Sequence, residues 1–292
     1  MMQHDPTVGG RLEERDLLDV FSPAAPITRR DFFSGRMDQL EHLLDVVAQR
    51  GQHAVVYGER GVGKTSLVTV ATSGLVDRRT ITLRVNCDGT DDFVSIWRKV
   101  VCETRLPRPL PPVVGIRELL GQAAANAAPL LESARVTVDV VRQALQLLSH
   151  PAPMVVVVDE FDRLEQERTK TQFADTIKAL SDHVVPVTII VVGVAVNPGT
   201  LLGEHRSIER GLRPIQVPRM PPAELAAIAR FALGKLQMTI ADDAVARIVA
   251  LSGGLPYYTH ALGLLASREA VRAGESAVQV AHVERVAPRV ID

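Results

Sequence analysis

The sequence predicts an α/β fold: a five-stranded parallel sheet between helices, followed by a small all-α domain. Three observations carry this. Five short runs, Ala54 to Tyr57, Ile81 to Val85, Met154 to Val158, Val187 to Val192 and Ile215 to Val217, are rich in β-branched residues and alternate with helical patterns. Strands that are apolar throughout and separated by helices pair in parallel, with both faces covered. The first run leads through a glycine-rich turn into an apolar helix, and after Pro218 no strand-like run remains.

Residues 1 to 30 carry Gly9-Gly10 and a Pro/Ala stretch at Ser22 to Pro26, so they read as a loosely held arm. From Met37 to Arg50, Leu40, Leu43, Leu44, Val46 and Val47 recur at helical spacing, and Gly51 stands where the helix should end. Between the second and third strands lie Pro107, Pro109, Pro111 and Pro112, then helical stretches around Ile116 to Leu131 and Val136 to Leu148. These read as an elaborated connection within one domain. Beyond Pro221-Pro222, helical patterns near Ala223 to Leu236, Asp242 to Leu251, Tyr257 to Ala273 and Val278 to Val286 predict a separate helical domain. The expected divisions are an arm (1–30), a core (31–219) and a helical domain (220–292).

The chain has 292 residues, 46% of them hydrophobic, enough to fill a sizeable core without staples. A net charge of −1 gives no global attraction to nucleic acid or anionic lipid. Cys87 and Cys102 have neither disulfide nor zinc spacing and are expected to be buried free thiols. The N-terminus lacks the apolar core of a signal peptide. The longest apolar run, Val184 to Val196, is interrupted by Pro186 and Gly193 and is shorter than the ~20 residues of a membrane span. A soluble, cytoplasmic protein without a membrane partner is expected.

The turn after the first strand reads Gly58-Glu59-Arg60-Gly61-Val62-Gly63-Lys64-Thr65, followed by Ser66. Strand, glycine-rich turn and helix in this order make a phosphate-binding loop: the glycines let several N–H groups converge on phosphate oxygens, helped by the positive helix end. Lys64 would neutralise the β and γ phosphates of ATP, and Thr65 would place its hydroxyl on Mg²⁺. The third strand ends in Asp159-Glu160. Ligands of parallel sheets collect at that edge. Asp159 is expected to hold the magnesium, and Glu160 to polarise an attacking water as general base. Asp162 reads as a helix cap. After the fourth strand, Asn197 is either a γ-phosphate sensor or a turn residue before Pro198-Gly199. Arg210 is a candidate to reach a neighbouring subunit's nucleotide, with Arg206 and Arg213 as rivals.

The ordered set Phe33-Ser34-Gly35-Arg36, the phosphate loop, Asp159-Glu160 and a helical lid resembles the AAA+ superfamily over roughly residues 31 to 290. Within it the chain is most similar to the branch of origin-recognition and Cdc6-like ATPases and the STAND signalling ATPases. The resemblance implies that Gly35 and Arg36 lie by the adenine. Many AAA+ proteins carry an arginine early in a lid helix, but Ser252 to Tyr258 contains none. Gly254-Leu255-Pro256 instead resembles the STAND element, whose proline packs by the nucleotide, which favours a switch over fast turnover.

The expected function is an ATP-driven switch or assembly ATPase acting on a protein partner, with self-assembly through Arg210 in trans and a hinge at Pro218 to Pro222. Any effector would be another protein or a domain outside this sequence. A DNA-associated ATPase resembling transposition regulators or origin-recognition loaders is the alternative. It is disfavoured by the neutral charge and kept open by Arg206, Arg210 and Arg213. A small-molecule phosphotransferase fits less well, because tandem carboxylates argue for water as acceptor. An ATP binder without hydrolysis is the remaining reading.

Overall fold

The computed structural model describes residues 14–23, 35–75, 79–133, 135–203, 208 and 210–291. It divides into two compact units: Arg36–Pro218, and the described parts of Met1–Gly35 together with Arg219–Asp292.

The first unit is the α/β part. Its strands are β1 (His53–Gly58), β2 (Ile81–Asn86), β3 (Met154–Asp159), β4 (Val187–Val194) and β5 (Leu212–Gln216). They form one parallel sheet in the order β2-β3-β4-β1-β5. The five expected runs all became strands. The central ones are the most apolar because both faces are covered: every residue of β3 is buried, and so is β4 up to Gly193. The edge strand β5 carries exposed Arg213 and Pro214. A proline is tolerated at an edge, where its missing N–H interrupts no ladder.

The helices of this unit include α2 (Met37–Ala48), α3 (Lys64–Ser73), α4 (Phe93–Glu103), α5 (Ile116–Glu132), α6 (Val138–Leu148) and α7 (Glu167–Asp182), with a short α8 at Gly199–Leu202. Asp92 and Ser95 form a reciprocal capping box that starts α4, and the Thr137 hydroxyl caps α6. Between the sheet and α4 to α7, Trp97 stacks on Phe173 with ring centroids 5.0 Å apart, and Phe161 meets Phe173 edge-on at 5.1 Å. Each such pair adds about 0.5–1.5 kcal/mol beyond its buried area. Phe161 directly follows the Asp159-Glu160 pair, so this cluster fixes the turn that carries both carboxylates.

The second unit holds α9 (Pro222–Lys235), α10 (Asp242–Ser252), α11 (Pro256–Arg272), α12 (Val280–Val286) and α13 (Pro288–Ile291). Contrary to the all-helical expectation, two residues, Thr239–Ile240, pair in parallel with Ala277–Val278 as β6 and β7. Segments so short carry no periodic signal. The segment expected to be a loose arm also departs from its reading. Glu14–Val20 forms helix α1, and Leu17 and Phe21 bury their side chains among Leu233, Leu262 and Ala266 of this unit. Leu17 and Phe21 are four apart and share a helix face, a signal too short to stand out in an otherwise polar stretch. Phe21 packs on Gly263, where a Cβ would come within 2.5 Å of its ring.

The cysteine expectation is half corrected. Cys87 is buried, and burial pushes its thiol up to about 12, whereas Cys102 on α4 is exposed. Among the described residues no helix is long and apolar enough to cross a membrane.

Candidate functional site

The loop between β1 and α3 is built by its glycines. Gly58, Gly61 and Gly63 have φ of 152°, 82° and 92°, values that L side chains rarely adopt. A Cβ on Gly58 would stand 2.3 Å from the Val217 carbonyl oxygen, so the neighbouring backbone also demands glycine there. Val62 is fully buried and pins the loop, while Glu59, Arg60 and Gly61 face solvent. Lys64 opens α3, as a phosphate loop requires. Its ammonium donates to the carbonyls of Gly58 at 2.9 Å and Glu59 at 2.8 Å, spanning its own loop. Burial pulls its pKa below the usual lysine value; Asp162 and Asp159 oppose this and Arg36 adds to it.

Arg36 also lies at the loop. Arg36 precedes α2 with φ 59°, is almost fully buried, and donates from Nη2 to the Pro218 carbonyl at 2.9 Å. Its Nη1 lies 3.5 Å from where a Cβ on Gly63 would be. Lys64, Gly63 and Arg36 therefore lie together at one basic loop.

The end of β3 lies beside this loop. Asp159 is buried, and its Oδ2 accepts from the Thr65 hydroxyl at 2.9 Å. The same oxygen accepts from Arg84 Nη2 at 2.5 Å, and Oδ1 accepts from the Glu160 N–H at 2.8 Å. Thr65 and Asp159, 94 positions apart in sequence, are thus in direct hydrogen bond. Both present hard oxygen donors of the kind magnesium takes.

Glu160 stands apart from this network. With φ 55° it turns the chain out of the sheet and projects into solvent, where Arg163 meets its carboxylate at 3.2 Å. Such exposed pairs contribute about 0–1 kcal/mol and exchange freely. Asp162 caps, but not the helix expected: its Oδ1 accepts from the backbone N–H of Val194 at 2.7 Å, tying the turn after β3 to the end of β4. Asn197 is exposed, and its side-chain oxygen accepts from the Thr200 N–H at 3.1 Å. Arg210 is exposed in the turn before β5, where its carbonyl accepts from Gln52 Nε2 at 3.0 Å. Arg213 is exposed on β5. Phe33, Ser34 and Arg206 lie outside the described residues.

Gly35 and Pro256 belong to the second unit. Gly35 has φ 73°, and a Cβ there would meet the Glu224 carboxylate. Pro256 is the first residue of α11, preceded by Gly253 and Gly254 at φ 55° and 87°. The Gly253 carbonyl accepts from Arg219 Nη1 at 3.1 Å, and that of Gly254 from the Met220 N–H at 2.8 Å.

Residues 33–191 match the profile of the family described as AAA ATPase domain. The chain belongs to the AAA ATPase domain family. Among solved structures the chain is similar in fold to the ORC1 protein of Aeropyrum pernix in complex with DNA, with 16% identity and a TM-score of 0.64 over 95% of this chain and 69% of that one. Cdc6p of Pyrobaculum aerophilum gives 16% identity and a TM-score of 0.64 over 94% and 71%. The RuvB Holliday junction branch migration motor of Thermotoga maritima gives 17% identity and a TM-score of 0.55 over 90% and 72%. No curated protein matches the chain significantly in sequence.

The residues of the loop and of the β3 end fit ATP with Mg²⁺. The glycine cradle has no room for a side chain at Gly58, a partly desolvated lysine faces it, and the donors of Thr65 and Asp159 suit a hard divalent cation. Sequence reasoning missed Arg84. Asn86 pairs in register with Asp159, and Arg84, two residues earlier, shares a face with it, a placement that only the pairing of β2 with β3 reveals.

Proposed function

We propose that this AAA ATPase binds ATP with Mg²⁺, hydrolyses it slowly, and acts as a conformational switch or assembly ATPase on a protein partner. The observation that supports this best is the convergence of Lys64, Thr65, Asp159 and Arg36 on one glycine loop. In this reading 31–219 is the nucleotide-binding core and 220–292 the lid, hinged near Pro218 to Pro222.

Gly58, Glu59, Arg60, Gly61, Val62, Gly63 and Ser66 supply backbone and hydroxyl donors to the phosphates, with Gly35, Arg36 and Pro256 as further nucleotide contacts. Magnesium, when bound, neutralises phosphate charge, and Thr65 and Asp159 would hold it. Lys64 gives up two carbonyls for phosphate oxygens. Its partial desolvation favours this, since an ammonium that has already lost water gains more from an anion. Glu160 leaves Arg163 and takes the proton of the attacking water. Asn197 steadies that water, and Arg210 completes a neighbour's site in trans, which couples turnover to self-assembly. With no arginine in Ser252 to Tyr258, the chain turns over slowly unless a partner assists.

A DNA-associated role is the second reading. It is favoured by the fold likeness to ORC1, whose structure is a complex with DNA, and opposed by the net charge of −1. Native mass and ATP turnover, measured with and without ATP, Mg²⁺ and mixed DNA, separate the two. A nucleotide-bound protein with negligible turnover and no response to DNA supports the partner switch. ATP-driven assembly with DNA-accelerated, salt-sensitive turnover would replace it with the DNA reading.

A further inference from the structure

Arg84 holds the carboxylate that the metal needs. Its Nη2 donates to Asp159 Oδ2 at 2.5 Å, and its Nη1 donates to Thr69 Oγ1 at 3.0 Å on α3, one helical turn beyond Thr65. A carboxylate offers about four acceptor positions. With the Thr65 hydroxyl also on Oδ2 and the Glu160 N–H on Oδ1, three are engaged. The guanidinium is thus anchored at two points and cannot relax away without breaking both. It is also one-third exposed, facing a cleft of about 430 Å³ lined by Arg84, Val85, Asn86, Lys99 and Glu103, which gives it room to swing outward.

We propose that Arg84 is a positioning residue that gates the metal. It keeps Asp159 aimed in the metal-free protein and, by neutralising that carboxylate, opposes a divalent cation until nucleotide phosphates bring compensating charge. The charge argument is direct. A lone carboxylate attracts Mg²⁺, but a carboxylate already paired with a fixed guanidinium presents no net charge and adds a like charge close by. Metal entry then depends on the phosphates, so metal and nucleotide arrive together. Arginine suits the task better than lysine because its planar fork spans Asp159 and Thr69 at once.

The inference rests on the reading of Thr65 and Asp159 as the metal residues, and the test separates the two. Mn²⁺ is titrated into nucleotide-free wild type, Arg84→Gln, Arg84→Met, Arg84→Lys and Asp159→Asn, with free metal followed by its paramagnetic resonance signal. In parallel, a fluorescent ATP analogue is bound with Mg²⁺ and with EDTA. Removing the guanidinium is expected to raise nucleotide-free Mn²⁺ affinity about tenfold, with Arg84→Lys close to wild type and metal-free nucleotide affinity changed less than about twofold. A merely structural Arg84 would lower thermal stability and leave Mn²⁺ affinity alone, which overturns the proposal. So would failure of both neutral variants to fold while Arg84→Lys folds. If wild type binds the analogue equally with Mg²⁺ and EDTA, and Asp159→Asn changes nothing, the metal-site reading falls and the proposal with it. If Asp159→Asn loses the Mg²⁺ advantage while Arg84→Gln tracks wild type, the proposal alone fails.

Discussion

The ends of β3 and β4 lie side by side in one sheet, yet their polar residues are used in opposite ways. At β3, Asp159 is buried and engages Thr65 and Arg84, 94 and 75 positions away, together with the N–H of its own neighbour Glu160. Just beyond β4, Asn197 is exposed and spends its side-chain oxygen on the N–H three residues ahead. The first region is complete within one molecule. The second, at Asn197, is an exposed side chain with one local turn contact, so any part it plays in catalysis needs a ligand or another subunit to meet it. Burial with long-range partners marks a prebuilt site, whereas local satisfaction with exposure marks residues that wait for something to meet.

The strongest way to break this comparison is at its built end. Lys64→Ala should weaken ATP binding by about 100-fold or more, roughly 3 kcal/mol, because charge-assisted bonds to the phosphates are lost; titration with a fluorescent ATP analogue reads this directly. Glu160→Gln should lower single-turnover hydrolysis by about 100-fold, the lower range for a lost general base, while affinity stays within about twofold. An equal loss of affinity in both variants would rule out Glu160 as the general base.

A pH experiment probes the sheet that carries both regions. His53 on β1 accepts the Ile189 N–H of β4 at 2.9 Å, and burial drives its pKa down to about 3. The unfolded chain, with a histidine pKa near 6.5, takes up this proton first. Its stabilising contribution is therefore full above pH ~6.5 and declines as pH falls toward 3, at up to about 1.4 kcal/mol per unit. Denaturant melts from pH 8 to pH 4 should show this slope, and His53→Gln, which retains an acceptor, should flatten it.

The smallest effect is expected at the open end. Asn197→Asp keeps the oxygen that Thr200 uses but removes the amide donors. If the side chain steadies water in the assembled site, turnover should fall about three- to tenfold, with stability within about 0.5 kcal/mol. Unchanged turnover would make Asn197 a turn residue only.

The same contrast explains what could be read in advance. The five strands and the phosphate loop were legible because they depend on short-range order: an apolar run, glycines at fixed offsets, a lysine and threonine at a helix start. Asp159 was legible because a carboxylate that ends a wholly apolar run has few other uses. Arg84 was not, since its meaning depends on which strand pairs with β2, and that pairing spans some 70 residues of intervening chain. The β6–β7 pair and the docking of α1 were hidden for the same reason, each being a long-range match between segments too short to carry a period. Cys102 shows the converse, a small residue expected to be buried that its amphipathic helix turns toward solvent.

The burial of Leu17 and Phe21 has a practical meaning for anyone dividing the chain. The family match begins at residue 33, but the hydrophobic centre of the C-terminal helices is closed by side chains from before that point. A fragment cut at the family boundary would leave an aromatic-sized hole against Gly263 and His260, and an apolar wound on the helical unit. Homology here marks the nucleotide machinery; the boundary of a self-sufficient polypeptide is set elsewhere, no later than Glu14.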